Sequence, residues 1–581
     1  MLEKIILEFA SGRTQEFPAT VRRFSDQEYT GSFCCEEKDG FWEVSAVLFP
    51  VGVPADPISR IATVSMALPW TADDRVLSMG PAFAEGIWPV EELPETVESR
   101  DFFAFFNRMA PEKGLTLLPQ LPAKFCSGIL LEREVSVLRV RAFTEVPLTY
   151  TGEIHCQIWR LYRDQNPTAV LKTAALDFGT NKPFQKPVGW STWDYYFTSA
   201  TEDDVKKNVD FIAVDPVLRE KVRYIALDDG WQQREGDWRA GIRYPSGLKS
   251  LVTYIRDKGM EAGIWVAPTR LHNLCGTVMR RHAFLVRDGY GDPVMDEDMF
   301  VLDPTHPDGE AFLRETFSYL ADCGFTFYKL DFISNLLTAR RFHDRNAGPF
   351  DALRRLFTIV RETVPRGSHL MGCSLPYGMG SGVADSRRTG WDIHNVWCHV
   401  EACLGSYLPQ FAAQGRIYQN DLDYLVVRGP ETSDDSQTNV INPKAGYNRA
   451  NPKSFAWRAG EDFTYREAKT WCTAMLMAGS SVFLGDNLPE LNEKGLELVR
   501  KTVAAADFTA AEPVLDGNRI PAVWRKENQL YVFNFTEEER FFQLEAQGSW
   551  RNLFDEEQFT AQAGKLTVSL PAHGSVCLEK Q

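Results

Sequence analysis

The sequence predicts a multidomain chain in which a (β/α)8 barrel is flanked by two antiparallel β-rich domains. Three observations predict it. Short β-branched runs alternate with amphipathic helical stretches through the middle of the chain, two-residue apolar alternation occupies both ends, and 581 residues exceed one compact domain.

From Met1 to about Asp177 the segments FWEVSAVLFP (41–50), ILLEREVSVLRVRAF (129–143) and LTYTGEIHCQIWRLY (148–162) alternate apolar and polar residues between Gly, Pro and Asp punctuation. That is the pattern of a large antiparallel β-sandwich. NKPFQKPVGW (181–190), with two prolines, reads as the linker out of it. The middle of the chain then offers eight candidate strands, most followed by a helix: 188–193, 223–229, 262–268, 325–332, 369–374, 383–389, 415–421 and 480–486. Helices are expected within 201–219 and at 247–258, 308–322, 351–364 and 464–478. A polar stretch, 430–463, reads as a long insertion or loop. A doubly wound open sheet is the alternative, but no GxGxxG fingerprint opens its first unit. Alternation returns in QLYVFNF (529–535), RFFQLEA (540–546) and KLTVSLPAHGSVCLEK (565–580), as in a small β-sandwich. The expected domains are therefore 1–180, 181–505 and 506–581.

The composition is that of a globular protein, 44% hydrophobic and 12% aromatic. A net charge of −16 without a basic cluster argues against nucleic acid as a partner. No apolar run has signal-peptide or membrane-helix length, so a cytoplasmic chain is expected, with its 11 scattered cysteines reduced. Oligomeric state is left open.

Barrels carry their chemistry at the C-terminal ends of strands. There the chain places Asp194, the pair Asp228-Asp229, Asp331 in YKLDF (328–332), and Asp392 in Arg388-Thr389-Gly390-Trp391-Asp392. Alternation puts Lys329 and Asp331 on one face, where the ammonium is expected to lower the carboxyl pKa as a nucleophile requires. A structural ion pair explains the same residues. Asp392, beside Trp391, is expected to be desolvated and raised, as a general acid requires; an arginine-paired turn aspartate is the plainer reading. Asp228-Asp229-Gly230-Trp231 reads either as a helix cap or as a pair of acceptors for vicinal hydroxyls. Trp193 and Trp265 are packing residues or platforms for a sugar face. His394, Cys398, His399 and Cys403 lie close together but match no zinc spacing, and no metal or other cofactor is expected.

Taken together, GWSTWDYYF (189–197), LDDGWQ (227–232), GIWVAP (263–268), YKLDF, GCSLPYGMGSGVADSRRTGWD (372–392), YQNDLDYLVVR (418–428) and LGDNLPEL (484–491) resemble glycoside hydrolase family 36, the α-galactosidases and their relatives, in its shorter bacterial and archaeal form. The resemblance implies a retaining, exo-acting α-galactosidase with an N-terminal β-supersandwich, a catalytic barrel and a C-terminal β-sandwich. It implies Asp331 as nucleophile and Asp392 as acid/base. It also implies a sugar site of Trp193, Asp228, Asp229, Trp265, Lys329, Cys373 and Arg388, and an α-galactoside as partner. Retention requires the two carboxyls about 5–5.5 Å apart. Where longer members carry a Cys-x-x-Gly-Gly type loop, this chain has Cys373-Ser374-Leu375-Pro376-Tyr377. An α-N-acetylgalactosaminidase is therefore the alternative enzyme, and a catalytically silent sugar-binding protein the alternative from another class.

Overall fold

Alternation along the N-terminal strands buries one face of each. Phe41–Pro50 turns Val44, Ala46 and Leu48 inward. A six-stranded and a nine-stranded antiparallel sheet share the resulting core, Ile5, Leu7, Val64 and Val140 coming from the first and Val44, Leu48, Phe103 and Trp159 from the second. The computed structural model describes residues 2–79, 85–180, 183–280, 282–296, 298–434 and 460–581. Most of the stretch expected as an insertion, 435–459, lies outside the described residues, as do the first two residues of the expected linker.

The strand pattern expected to run to about Asp177 stops sooner. Asn166 accepts a hydrogen bond from the Thr168 N–H (3.0 Å) and caps a helix over Pro167–Phe178. Pro167 suits the first turn, where no N–H is needed, and Val170, Leu171, Ala174 and Ala175 bury one stripe. Alternation upstream masked this change of period.

Each of the eight expected central runs contains a strand: β1 (Val188–Ser191), β2 (Tyr224–Leu227), β3 (Glu261–Val266), β4 (Phe327–Leu330), β5 (His369–Gly372), β6 (Ser386–Arg388), β7 (Gln419–Asp421) and β8 (Val482–Leu484). β1 to β7 pair in parallel in chain order, β1 also pairs with β8, and β8 pairs with Tyr424–Leu425, which begins three residues after the end of β7. The two edges of the sheet are thus consecutive pieces of one stretch of chain, the arrangement a barrel requires. The strands are buried on both faces, as parallel strands covered by helices must be.

Local chemistry sets the helix ends. Thr201 and Asp204 form a reciprocal capping box for Glu202–Val214, and Thr464 and Glu467 do the same for Tyr465–Ala478. Gly324, at φ 104°, ends Pro307–Cys323 and turns the chain directly into β4. Beyond the helix Glu493–Ala505, a six-stranded and a two-stranded antiparallel sheet close the chain over Val532, Leu544, Trp550 and Val568. Among the described residues no helix is long and apolar enough to cross a membrane.

Candidate active site

The ends of β4 and β6 carry the central charges. Asp331 follows β4 directly, its own N–H bonded to the Val266 carbonyl at the end of β3 (2.9 Å). Its Oδ2 accepts from Trp265 Nε1 (3.0 Å) and its Oδ1 from the Phe332 N–H (2.7 Å). Phe332 sits at φ 53°, a left-handed conformation that turns the chain sharply off the strand and aims this N–H back at the carboxylate.

Lys329 does not pair with Asp331. Its Nζ donates to Asp228 Oδ2 (2.8 Å) and to the Tyr424 hydroxyl (2.8 Å), and that hydroxyl donates to the same Asp228 oxygen (2.7 Å). The ammonium is drawn down by burial but held well above its ordinary pKa by the Asp228 carboxylate. The expected lowering of the Asp331 pKa is therefore overturned. Burial pushes this carboxyl up, and the Lys329 charge and the Trp265 hydrogen bond offset that only in part. Asp392 raises it further, which places the two carboxyls within electrostatic reach of each other.

Arg388, at the end of β6 and 5% exposed, gathers three carboxylates. Nη1 meets Asp392 Oδ1 (2.8 Å), Nε meets Asp421 Oδ1 (2.9 Å), and Nη2 forms an ion pair with Asp423 Oδ1. Asp423, at φ 89° between β7 and Tyr424, also accepts from the Ile393 N–H (2.6 Å) and so ties the Asp392 loop to β7. The desolvation of Asp392 by Trp391 expected from the sequence is not found. The Asp392 side chain is 43% exposed on Arg388, and Trp391, 46% exposed, bonds instead to Glu85.

Asp228 and Asp229 cap no helix. The Asp228 N–H donates to Thr192 Oγ1 (2.9 Å), and the Asp229 N–H to Asp228 Oδ1 (2.9 Å). Gly230 follows at φ 103°, and a Cβ there would lie 2.4 Å from the Thr198 carbonyl oxygen, so only glycine fits this turn. Burial raises the Asp229 carboxyl to about 7 against a hydrogen bond from Gln232, with Glu235 and Asp228 adding to the rise.

Trp265 is 2% exposed and serves to orient Asp331 rather than to offer a broad face, while partly buried Trp193 stands edge-on to Phe197. Cys373 donates its N–H to the Leu330 carbonyl (2.8 Å), and burial beside Asp331 pushes its thiol well up. A cleft of about 220 Å³ brings Asp331, Cys373, Arg388 and Asp392 together, and Glu85, Arg100 and Asp101 from the N-terminal sheets form part of its wall. A larger groove, about 1230 Å³, lies between the helix Pro167–Phe178 and the C-terminal sheets and contains none of the expected residues.

The histidine–cysteine cluster is dispersed. His394 turns into a buried ionic group with Asp194, Arg428 and Asp486, whereas Cys398 is exposed. No group of metal-binding side chains occurs among the described residues. Sequence reading missed Tyr424, Asp421 and Asp423, although YQNDLDYLVVR was noticed as a motif. Two aspartates and a tyrosine closing the β7 run were the available signal.

No family model matches the chain. Among curated proteins it is 29% identical over 84 residues to an α-galactosidase of Coffea arabica, covering 14% of this chain and 22% of that protein. It is 26% identical over 194 residues to an α-galactosidase of Escherichia coli, covering 31% and 26%. The chain thus spans about a quarter or less of the length of these relatives. Among solved structures, the family 36 α-galactosidase AgaA of Geobacillus stearothermophilus aligns over 99% of this chain and 89% of its own, with TM-score 0.62 and 13% identity. An α-galactosidase of Thermus thermophilus aligns over 83% and 94%, with TM-score 0.59 and 17% identity.

Two outcomes test this geometry. Arg428→Met leaves Asp194 and Asp486 buried without their cation, and should lower stability by about 3–5 kcal/mol in chemical denaturation. A loss below about 1 kcal/mol would contradict the ionic group. For Asp229, the folded carboxyl titrates near 7 and the ordinary one near 3.8. Its contribution is then fully present below the lower value and lost as pH rises through the higher one. Wild type should accordingly lose stability relative to Asp229→Asn between about pH 4 and about pH 8 in urea titrations; parallel curves would contradict the shift.

The likeness read from the motifs extends to the architecture: over nearly its whole length this chain has the fold of the glycoside hydrolase family 36 α-galactosidases.

Proposed function

We propose that this chain is a retaining, exo-acting α-galactosidase. Its (β/α)8 barrel would span about 181–505 between an N-terminal and a C-terminal β-sandwich domain. The observation that carries this reading is the joint placement of Asp331 and Asp392 in one cleft, the first held by Trp265 and the Phe332 N–H, the second by Arg388.

Asp331 is the nucleophile. Two N–H donors on separate oxygens favour its ionised form and fix its plane, offsetting in part the burial that opposes ionisation. Asp392 gives its proton to the leaving oxygen as Asp331 attacks the anomeric carbon and the glycosidic bond breaks. The resulting galactosyl ester is then cleaved by water, which yields its proton to Asp392. Arg388 divides its charge among three carboxylates and is not committed to Asp392 alone.

Asp228, Asp229 and Lys329 hold the sugar hydroxyls at C4 and C6 and near C3, with Cys373 near C2 and Trp193 at the rim. The Thermus relative is described in complex with p-nitrophenyl α-D-galactopyranoside and with stachyose, and an AgaA variant in complex with raffinose. Terminal α-galactosides are the substrate class proposed for this chain.

Asp331→Ala should reduce turnover of nitrophenyl α-galactoside by roughly 10⁴-fold or more. Azide should restore part of the rate and give the β-galactosyl azide. Undiminished turnover in this variant would refute the assignment. A strong preference for the α-N-acetylgalactosaminide over the α-galactoside would instead move the substrate to the amino sugar.

A further inference from the structure

The Asp392 loop rests on a side chain from outside the central sheet. Glu85, just before the strand Gly86–Pro89 of the N-terminal domain, receives a hydrogen bond from Ser406 Oγ on the helix Trp397–Tyr407. It receives another from the side chain of Trp391, the residue preceding Asp392. The loop lies directly against this helix: a Cβ on Gly390 would fall 2.4 Å from Ser406 Cβ, so glycine is required for the approach. Burial pushes the Glu85 carboxyl above its ordinary value, and the two donors pull against that.

Glu85 is itself anchored. Its carbonyl accepts from Trp88 Nε1 (3.1 Å), and the Arg519 guanidinium lies 4.7 Å from the Trp88 ring centroid. The Ile87 N–H bonds to the Arg519 carbonyl (3.1 Å), and at Gly86, φ 94°, an added Cβ would lie 3.1 Å from the same oxygen. Three parts of the chain, the N-terminal sheets, the helix Trp397–Tyr407 and the segment that holds Arg519, therefore meet around Glu85. Glu85 and Asp392 line the same cleft.

We infer that Glu85 is a positioning residue: through Trp391 and Ser406 it holds the loop that presents Asp392 to the leaving-group oxygen. The inference rests on Asp392 being the acid/base. Arg388 fixes the carboxyl end of Asp392 and Asp423 holds the Ile393 N–H on its C-terminal side, so the swing left to oppose is that of the N-terminal side of the loop, at Gly390 and Trp391. Two hydrogen bonds to Trp391 and to the neighbouring helix restrain that swing. A general acid displaced from hydrogen-bond reach of the leaving oxygen no longer transfers its proton efficiently. The loss then falls on substrates whose leaving group needs that proton.

The test is the dependence of kcat/KM on the leaving group, because this constant reports the step in which the glycosidic bond breaks. Wild type, Glu85→Ala, Ser406→Ala, Trp391→Phe and Asp392→Asn are compared on phenyl α-galactoside, whose leaving group needs protonation, and on dinitrophenyl α-galactoside, whose leaving group does not. Glu85→Ala should lower kcat/KM about 10- to 100-fold on the first and less than about 3-fold on the second. Trp391→Phe and Ser406→Ala should shift the same ratio in the same direction by smaller amounts, and they carry the test if Glu85→Ala does not fold. A merely structural role lowers both substrates equally, and that result overturns the inference. Asp392→Asn separates the two levels. If it shows the selective loss while the other variants do not, only the role of Glu85 falls. If it shows no selectivity, the acid/base assignment falls and the inference with it.

Discussion

A guanidinium buried at the end of a strand of the central parallel sheet must have its charge answered, and in this chain the answer organises the rim of the cleft. Arg388 meets Asp421 at the end of β7, Asp423 just beyond it and Asp392 four residues along its own loop. Removing so large a charge from water is unfavourable unless its donors are all engaged. The strand order that brings β7 beside β6 is thus coupled to the position of Asp392. Asp423 extends the coupling by accepting from the Ile393 N–H, so the same arginine cluster holds both side chain and backbone of that loop.

A second buried charge solves a different problem. Lys329 sits between Asp228 from β2 and Tyr424 beyond β7, three strands' worth of separation spanned by two contacts of 2.8 Å. The lysine balances Asp228 and leaves Asp331 to be held by neutral N–H donors. Under the proposed mechanism this division of labour is useful: a nucleophile tied directly to an ammonium would be stabilised as an anion and weakened for attack. Donation from an indole and a backbone amide orients the carboxylate without full neutralisation.

The N-terminal sheets do more than pack beside the central sheet. Glu85 reaches the Asp392 loop, and Asp101, at φ 58°, accepts from the backbone of Tyr377 and Gly378 in the loop that follows Cys373. The Ala123 N–H closes on the Gly378 carbonyl (2.8 Å) from the same side. Both loops that frame the cleft are therefore gripped by residues separated from them in sequence by some hundreds of positions, so the shape of the cleft depends on how the N-terminal sheets pack against the central one.

Period and punctuation in the sequence were enough to locate all eight central strands: most are short apolar runs buried on both faces, and the polar pieces Ser386–Arg388 and Gln419–Asp421 followed from the strand–helix rhythm around them. They also brought out Asp331, Asp392, Arg388 and the Asp228-Asp229 pair, since charged residues closing apolar runs stand out against their surroundings. The helix Pro167–Phe178 was hidden behind alternating neighbours. Pairings could not be read along the chain, because side chains adjacent in a strand share a face without having to touch. Lys329 was therefore expected beside Asp331 but bonds to Asp228, 101 positions away. Desolvation likewise belongs to the folded surroundings: burial raises Asp331 despite the nearby lysine, and Trp391, expected to shield Asp392, points to Glu85. The sequence alone brought out Asp331, Asp392, Arg388 and the Asp228-Asp229 pair, but not Asp421, Asp423 or Tyr424. Tertiary structure decided which of them meet and which are cut off from water, because both depend on residues brought together from distant parts of the chain.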